Sequence, residues 1–157
     1  MIDELVRKLE LQPHPEGGYY RETYRASAVL DTPRGRRHAG TAIYYLLPKA
    51  TFAAFHRVTS DEVWHHYDGG PLALHLVDEA GRYDRRVLGR NVLGGEHPQV
   101  MVKAGVLQAA EPLGDYALCG CTVAPGFDFS DWRMPPFDEL AVSHPRHREL
   151  FRRFSRP

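Results

Sequence analysis

Short runs of alternating hydrophobic and polar residues, separated by turn-forming residues, make up most of the chain. LALHLVD at 72–78 places its three leucines on one face, whereas TAIYYLL at 41–47 is almost continuously apolar. Strict alternation is typical of a strand with one buried face, and a short continuous apolar run suits a strand covered on both faces. About nine such strands follow one another at turn spacing, and we place them between roughly 18 and 127. This succession predicts an antiparallel sandwich or barrel rather than alternating strands and helices.

Helical patterns occur only at the two ends of the chain. Residues 2–9 carry apolar side chains at helical spacing and are followed by Pro13, which predicts a short N-terminal helix. FDELAV and PRHRELFRRF predict a helical tail over 137–154. The segment 31–38, DTPRGRRH, is expected to be an exposed loop. Since there is no internal repeat and no linker, we expect a single domain over 1–157.

Composition and charge narrow the class of protein. The chain has 20 basic and 20 acidic residues, and this balance argues against a nucleic-acid binder. No apolar run approaches the roughly 20 residues of a membrane span, and MIDELVRKLEL lacks the apolar region of a signal peptide. Cys119 and Cys121 lie one residue apart on a predicted strand, which is poor geometry for a disulfide. We therefore expect a cytoplasmic protein with two buried, reduced thiols and no membrane partner.

The stretch with the clearest potential for chemistry is FHRVTSDEVWHHYDG at 55–69. It predicts a hairpin in which His56 and Glu62 meet inside the barrel. A carboxylate beside an imidazole fixes its tautomer and raises its pKa, so the pair could act as a catalytic base with its orienting partner. The alternative is a buried hydrogen bond with a purely structural role.

The same stretch resembles the first motif of the cupin superfamily. That motif has histidine, any residue, histidine, three or four residues, glutamate, six residues and glycine. His56, Glu62 and Gly69 match it, whereas Val58 stands where the second histidine would be.

A second cupin motif has proline, any residue, glycine, two residues and histidine. Here Gly105 matches, while Lys103 and Gln108 replace the proline and the histidine. Blocks from PHPEGGYYRETYR to GCTVAPGFDF are similar, in order, to one branch of small cupins largely without assigned function. The resemblance spans 11–131 and implies an all-β double-stranded β-helix, a jelly-roll barrel with short N- and C-terminal helices. It also implies a pocket inside the barrel and commonly a homodimer.

Resemblance to cupins also raises the question of a divalent metal, because a cupin metal site normally uses three histidines and a glutamate. Valine cannot coordinate, and an amide oxygen is a weak ligand for the metals that imidazole binds. The candidate ligands are His56, Glu62 and Gln108, with His66 as a third strong donor. Too few ligands match the family to predict whether a metal is bound.

Further residues are candidates for binding a small-molecule ligand. Aromatic side chains and one cation could line the pocket, with an amide to orient the ligand: Tyr19, Arg21, Tyr44, Trp64, His66 and Gln108. Ordinary packing is the alternative for each aromatic residue.

Three functions remain open from the sequence. The first is an isomerase, epimerase or lyase that acts on a sugar-like or carboxylated metabolite, with His56 as base and Glu62 as its partner; metal-free epimerases among the cupins use a pocket histidine in this manner. The second is a metabolite- or sugar-binding module without catalysis, and the third is a metal-dependent oxygenase. We also expect a homodimer formed along the strand Tyr19–Arg25, because jelly rolls expose sheet edges that need cover.

Overall fold

A computed structural model of the chain describes residues 1–157. Its strands, β1 to β13, and helices, α1 to α3, have the following bounds: α1 Ile2–Lys8, β1 Gln12–Pro13, β2 Tyr19–Arg25, β3 Val29–Thr32, β4 Gly35–His38, β5 Thr41–Pro48, β6 Ala53–Val58, β7 Asp61–Gly69, β8 Leu72–Val77, β9 Tyr83–Leu88, β10 Gln99–Val102, β11 Leu107–Pro112, β12 Tyr116–Ala124, β13 Trp132–Arg133, α2 Phe137–Ser143 and α3 Arg148–Phe154. Short 3₁₀ turns lie at Val92–Gly94, Phe129–Asp131 and Pro145–His147. The terminal helices therefore lie where the sequence predicted them.

Two antiparallel sheets face each other. The larger has the strand order β1-β2-β5-β12-β7-β10, and the smaller has the order β13-β6-β11-β8-β9. Strands β6 and β7 belong to different sheets, so the turn at Thr59 and Ser60 carries the chain from one sheet to the other. The hairpin predicted there is wrong, because a turn-forming sequence does not reveal which neighbour each strand will pair with.

The core has two parts. Between the sheets lies an apolar layer that includes Tyr45, Leu47, Trp64 and Leu74. On the outer face of the smaller sheet, the C-terminal helices place Leu140, Phe151 and Phe154 against Phe55, Val77, Leu107 and Ala109. Strand β6 is therefore covered on both faces, with Phe55 directed towards the helices and His56 towards the other sheet. Each fully buried side chain of this size contributes about 1.5–3 kcal/mol.

The segment predicted as an exposed loop is instead a hairpin, since β3 and β4 pair from Val29–His38 to Thr32–Gly35. Hydrophobic patterning does not indicate it, because its strands are largely exposed. Ion pairs hold it instead: Arg37 Nε donates to Asp131 Oδ2 over 2.8 Å and Arg34 Nε to Asp131 Oδ1 over 3.1 Å.

None of the helices is long and apolar enough to cross a membrane.

Candidate functional site

A cavity of about 710 Å³ lies between the sheets, within the range usual for small-molecule pockets. Strands β2, β5, β7 and β12 of the larger sheet and β6 of the smaller sheet supply inward-facing side chains. Residues 127–132, which follow β12, form a further wall.

His56 lies on the inward face of β6 and is 3% exposed. Its Nδ1 is 2.7 Å from the Ala54 carbonyl oxygen and 3.2 Å from Glu16 Oε2. A carbonyl oxygen can only accept, so Nδ1 carries the hydrogen and Nε2 of the neutral ring keeps a free lone pair. Nε2 has no hydrogen-bond partner in the protein and is not completely enclosed by protein atoms, so it is open to the cavity. Burial lowers the pKa of His56, with the charge of Glu62 opposing this shift, and the neutral ring is favoured.

Glu16, from the segment between β1 and β2, is the carboxylate closest to His56. Its Oε2 accepts a hydrogen bond from Trp132 Nε1 over 3.1 Å, and it is 3.8 Å from His14 Nδ1. Burial raises the pKa of Glu16, while His14 and the bond from Trp132 oppose this rise. His14 accepts a bond at Nδ1 from the Glu16 backbone N–H over 3.1 Å, and burial lowers the pKa of His14.

Gly17 explains how Glu16 reaches the cavity. Its φ is +119°, and a Cβ there would lie 2.1 Å from the Phe52 carbonyl oxygen. Only glycine permits this conformation and this close approach. Next to Gly17, the Ala54 N–H donates to the Glu16 carbonyl oxygen over 2.8 Å, and this bond joins the segment to β6.

Glu62 is held by a buried hydrogen-bond relay. Trp64 Nε1 donates to Gln108 Oε1 over 2.8 Å, and Gln108 Nε2 donates to Glu62 Oε1 over 2.7 Å. The indole can only donate, so it fixes the orientation of the amide and directs the NH₂ group towards Glu62. Burial raises the pKa of Glu62, and the charge of Glu16 adds to this rise, whereas His56 and the bond from Gln108 oppose it.

His56 and Glu62 line the same cavity but do not form the predicted pair. No hydrogen bond or ion pair joins them, and the carboxylate next to His56 Nδ1 is Glu16. The prediction of Glu62 as the residue that orients His56 is therefore wrong. The physical reason is the crossing of the chain between the sheets, which places the two side chains on facing walls.

Three of the predicted ligand-binding residues lie on the wrong face of the larger sheet. Tyr19, Arg21 and Tyr44 do not line the cavity, which takes Tyr20 and Tyr45 from the same strands instead. The Arg21 guanidinium lies 5.8 Å from the centre of the Tyr44 ring, and it pairs with Glu10 over 2.8 Å. Both faces of β2 carry aromatic and charged residues, so alternation alone does not indicate which face is inward.

The other predicted ligand-binding residues also lie outside the cavity wall. Trp64 is 1% exposed and stacks on Tyr45 with ring centres 5.6 Å apart. His66, further along β7, bonds through Nε2 to the Gly70 carbonyl oxygen over 2.9 Å. Trp64 and Gln108 thus act on the site through Glu62, and His66 takes no part in it.

Sequence reasoning missed Glu16, His14 and Trp132. Glu16 is 40 residues from His56 in sequence and belongs to a turn-like segment, PEGG. The signal available was an acid immediately before two glycines, where a tight backbone approach can bury the preceding side chain.

Comparison with known proteins agrees with this architecture. The family described as "Cupin superfamily (DUF985)" matches residues 3–135. This chain belongs to the cupin superfamily. The jelly-roll fold that the sequence predicted is thereby confirmed.

Among similar solved structures, a hypothetical protein from Leishmania major is 33% identical, with a TM-score of 0.91 over 99% of this chain and 98% of that one. Protein SO0799 from Shewanella oneidensis is 33% identical, with a TM-score of 0.92 over 99% and 97% of the two chains. The uncharacterized protein YML079W of Saccharomyces cerevisiae is 29% identical over 147 residues, which are 83% of this chain and 73% of the yeast protein.

Oxalate decarboxylase from Bacillus subtilis shares the fold alone. It is 17% identical, with a TM-score of 0.60 over 90% of this chain and 36% of the decarboxylase.

The donor set of this cupin does not fit the metal site that the superfamily implies. Val58 lines the cavity but cannot coordinate, and Gln108 Oε1 already accepts the indole hydrogen of Trp64. No group of three histidine, cysteine, aspartate or glutamate side chains converges on one point. The indole bond leaves Gln108 poorly placed for the predicted ligand role, and His56 and Glu62 alone fall short of the three protein ligands usual for zinc.

Proposed function

We propose that this cupin is an isomerase or epimerase that moves a proton at a carbon atom next to a carbonyl group, with His56 as the base and Glu62 as the acid. One observation carries this proposal. A neutral imidazole with a free Nε2 and a buried carboxyl group with a raised pKa face the same cavity. Environments that shift the pKa of each group away from its ordinary value are typical of acid–base sites.

The chemistry requires only these two groups. His56 Nε2 removes the proton from the carbon, and the electrons of that bond form the enol double bond. The carbonyl oxygen then accepts a proton from the Glu62 carboxyl. To give an isomer, the imidazolium of His56 returns its proton to the neighbouring carbon, while the hydroxyl on the first carbon loses its proton to the Glu62 carboxylate and becomes the new carbonyl. To give an epimer, water donates a proton to the opposite face of the first carbon, the enol hydroxyl returns its proton to Glu62, and His56 releases its proton to solvent. General acid and base groups of this kind contribute about 10²–10⁴-fold each.

Positioning residues support both groups. Ala54 and Glu16 fix the His56 ring, and the Glu16 carboxylate would stabilise the imidazolium that forms. Gln108 holds Oε1 of Glu62, and the Cys121 thiol faces the same carboxyl. A lyase would use the same acid and base, but it also needs a leaving group.

The substrate class that suits this proposal is a small sugar-like carbonyl compound. A carboxylated substrate loses the support that Arg21 was expected to give, because Arg21 lies outside the cavity.

Exchange of substrate hydrogen with solvent tests the proposal directly. Aldoses, ketoses and 2-amino sugars are incubated with the protein in D₂O, and NMR detects deuterium at the carbon next to the carbonyl. His56→Ala should lower exchange by at least about 100-fold. His65→Ala is the matched control, because His65 lies on β7 and contacts Thr122 outside the cavity.

Melting curves of both variants separate loss of catalysis from loss of fold. Equal losses of exchange and stability in His56→Ala would overturn the proposal in favour of a structural histidine. Stabilisation of the wild-type protein by a sugar that never exchanges would instead indicate binding without catalysis.

A further inference from the structure

The ionisable side chains of the cavity include four carboxylic acids, but its basic side chains are one arginine and three histidines, His14, His38 and His56. Its carboxylates outnumber its single arginine: Glu16, Glu22, Glu62 and Asp128 against Arg25. Arg25 is bound to Glu22, through Nε over 3.2 Å and through Nη2 over 2.6 Å. The charges of Arg25 and Glu22 cancel, so the carboxyl groups without an arginine partner lie deeper in the cavity, at Glu16 and Glu62.

The groups that face Glu16 supply no full positive charge. His14, His56, Tyr45 and Trp132 surround its carboxyl, and the pKa values of both histidines are lowered. Arg156 approaches from outside the cavity, and its Nη2 donates to the Glu16 backbone carbonyl over 3.3 Å. The Arg156 guanidinium is thus bound to backbone carbonyl oxygens and lies outside the pocket.

The groups that face Glu62 are also uncharged. Gln108 from β11, Cys121 from β12 and His56 from β6 surround it, and Glu16 acts on it as a second acid. Burial raises the pKa of the Cys121 thiol, so it remains protonated. Glu62 and Glu16 are 7% and 3% exposed, and buried acids of this kind are normally paired with a cation.

Aromatic rings complete this environment. Tyr20, Tyr45 and Trp132 line the interior, and Phe127 and Phe129 line the wall beside them. The Phe129 and Trp132 rings meet edge to face with centres 5.7 Å apart. Aromatic faces attract organic cations by about 0.5–2 kcal/mol each.

At the mouth, Asp128 does not add to the acid excess. Its carboxylate caps Ser130 N–H over 2.9 Å, and Arg37 and Arg25 lie close enough to help lower its pKa.

We propose that the substrate of this site carries a protonated amine, which the buried carboxylate of Glu16 and the surrounding aromatic rings recognise, while Glu62 keeps its proton for its role as the acid. This inference deepens the proposed function and rests on it for the reaction at His56. An anion would meet two acids with no compensating cation. A neutral hydroxylated compound would find hydrogen-bond acceptors but would leave the acids uncompensated.

Proton release on binding is the consequence that distinguishes an amine from a neutral ligand. An ammonium group beside Glu16 stabilises its ionised form, so it lowers the pKa of Glu16 in the complex. Binding therefore releases a proton at a pH below the raised pKa of Glu16 in the free protein. Affinity should rise with pH until the Glu16 carboxyl is ionised, and it should fall again once the amine itself loses its proton.

Three matched probes test the charge of the ligand: D-glucosamine, D-glucose and D-glucuronate. Each is titrated against the wild-type protein by calorimetry, in buffers with different ionisation enthalpies, so that proton release is measured with affinity. We expect glucosamine to bind at least about tenfold more tightly than glucose, a difference of about 1.4 kcal/mol, and to release protons, with glucuronate weakest. Glu16→Gln should remove this preference, whereas Glu149→Gln, a change of an exposed acid outside the cavity, should keep it.

Equal affinity for the three probes, tighter binding of glucose or glucuronate, or no binding of any of them would overturn the inference. Retention of the preference in Glu16→Gln would do the same. Where a glutamine variant does not fold, the comparison of the three probes on the wild-type protein decides. Solvent exchange into a neutral or anionic sugar that is lost in His56→Ala would uphold the proposed function while this inference fails.

Discussion

The relay from Trp64 through Gln108 to Glu62 gives a prediction whose size can be worked out. Gln108→Leu keeps approximately the volume of the side chain but removes both of its polar groups. The Trp64 indole N–H, on a side chain that is 1% exposed, then loses its acceptor. Glu62 Oε1 loses its donor at 2.7 Å.

The expected magnitude follows from these two losses. An unpaired buried donor costs about 1–3 kcal/mol, and a hydrogen bond to a charged acceptor is worth about 1.5–3 kcal/mol. Burial of the added apolar atoms offsets about 1 kcal/mol. We therefore expect the free energy of unfolding to fall by about 2 kcal/mol at a pH where Glu62 is protonated in the folded protein, and by about 3–4 kcal/mol at a pH where it is ionised.

The larger loss at high pH follows from the pKa of Glu62. Burial raises the pKa in the folded state above that of the unfolded chain, and the bond from Gln108 opposes this rise. A buried acid of this kind imposes no penalty below the unfolded pKa, where it is protonated in both states. The penalty grows as pH rises from the unfolded towards the folded pKa and is constant above it. Removal of Gln108 raises the folded pKa further, so the additional loss appears only above the wild-type folded pKa.

Urea unfolding of the two proteins, from about pH 5 to about pH 8, provides the assay. Gln99→Leu is the matched control, because Gln99 is exposed and contacts only His65, over 3.4 Å. The control should change stability by less than about 0.5 kcal/mol at either pH. A loss in Gln108→Leu no larger than in the control, or a loss that does not grow with pH, would refute the reasoning.

Three further predictions concern metal binding, the hairpin and assembly. Val58→His combined with Gln108→His should bring the metal bound, by elemental analysis, close to one equivalent per chain, whereas Val58→His alone should not; equal metal contents would contradict the ligand count. Asp131→Asn should lower stability by about 3 kcal/mol at neutral pH, because it leaves Arg37 facing a neutral amide. Arg37 holds the pKa of Asp131 below its ordinary value, so this difference should vanish as pH falls through that lowered pKa, and a difference that persists in acid would argue against the ion pair. Light scattering at micromolar concentration should report a dimer. A proline substitution between residues 21 and 25 of β2 should weaken it, because β1 pairs with β2 only at Tyr19 and Tyr20 and leaves the rest of this edge unpaired. A monomeric wild-type protein would refute this prediction.

The hydrophobic pattern of the sequence predicted well those strands and helices that are stabilised by burial of apolar side chains. Strand β5 was evident from its continuous apolar run, and it is covered on both faces because Leu46 and Leu47 are both buried. The helices were evident from apolar spacing, since Phe151 and Phe154 pack on the smaller sheet. The hairpin from Val29 to His38 was not evident, because arginine–aspartate pairs over a distance of more than 90 residues hold it.

The site was only half predictable for a similar reason. His56 and Glu62 stand at motif positions, and the structure places both in the cavity. Which carboxylate meets His56 depends on sheet topology, and β6 and β7 separate where the sequence indicated a hairpin. Glu16 reaches the cavity because Gly17 adopts a positive φ and lies so close to the Phe52 carbonyl oxygen that no Cβ would fit. The local sequence pattern does not reveal an approach between segments so far apart in the chain.

The two departures from the cupin metal motif have a common physical explanation. Where a metal-binding cupin would place a histidine, Gln108 directs its oxygen to Trp64 and its NH₂ group to Glu62. Glu62 therefore bonds to a neutral donor, and this donor lowers the pKa of Glu62 less than a bound metal ion would. At the other position Val58 offers no lone pair, so His56 keeps Nε2 free for a proton. Both substitutions favour exchange of protons over coordination, and a change that restored only one of them would disturb the acid–base pair without creating a metal site.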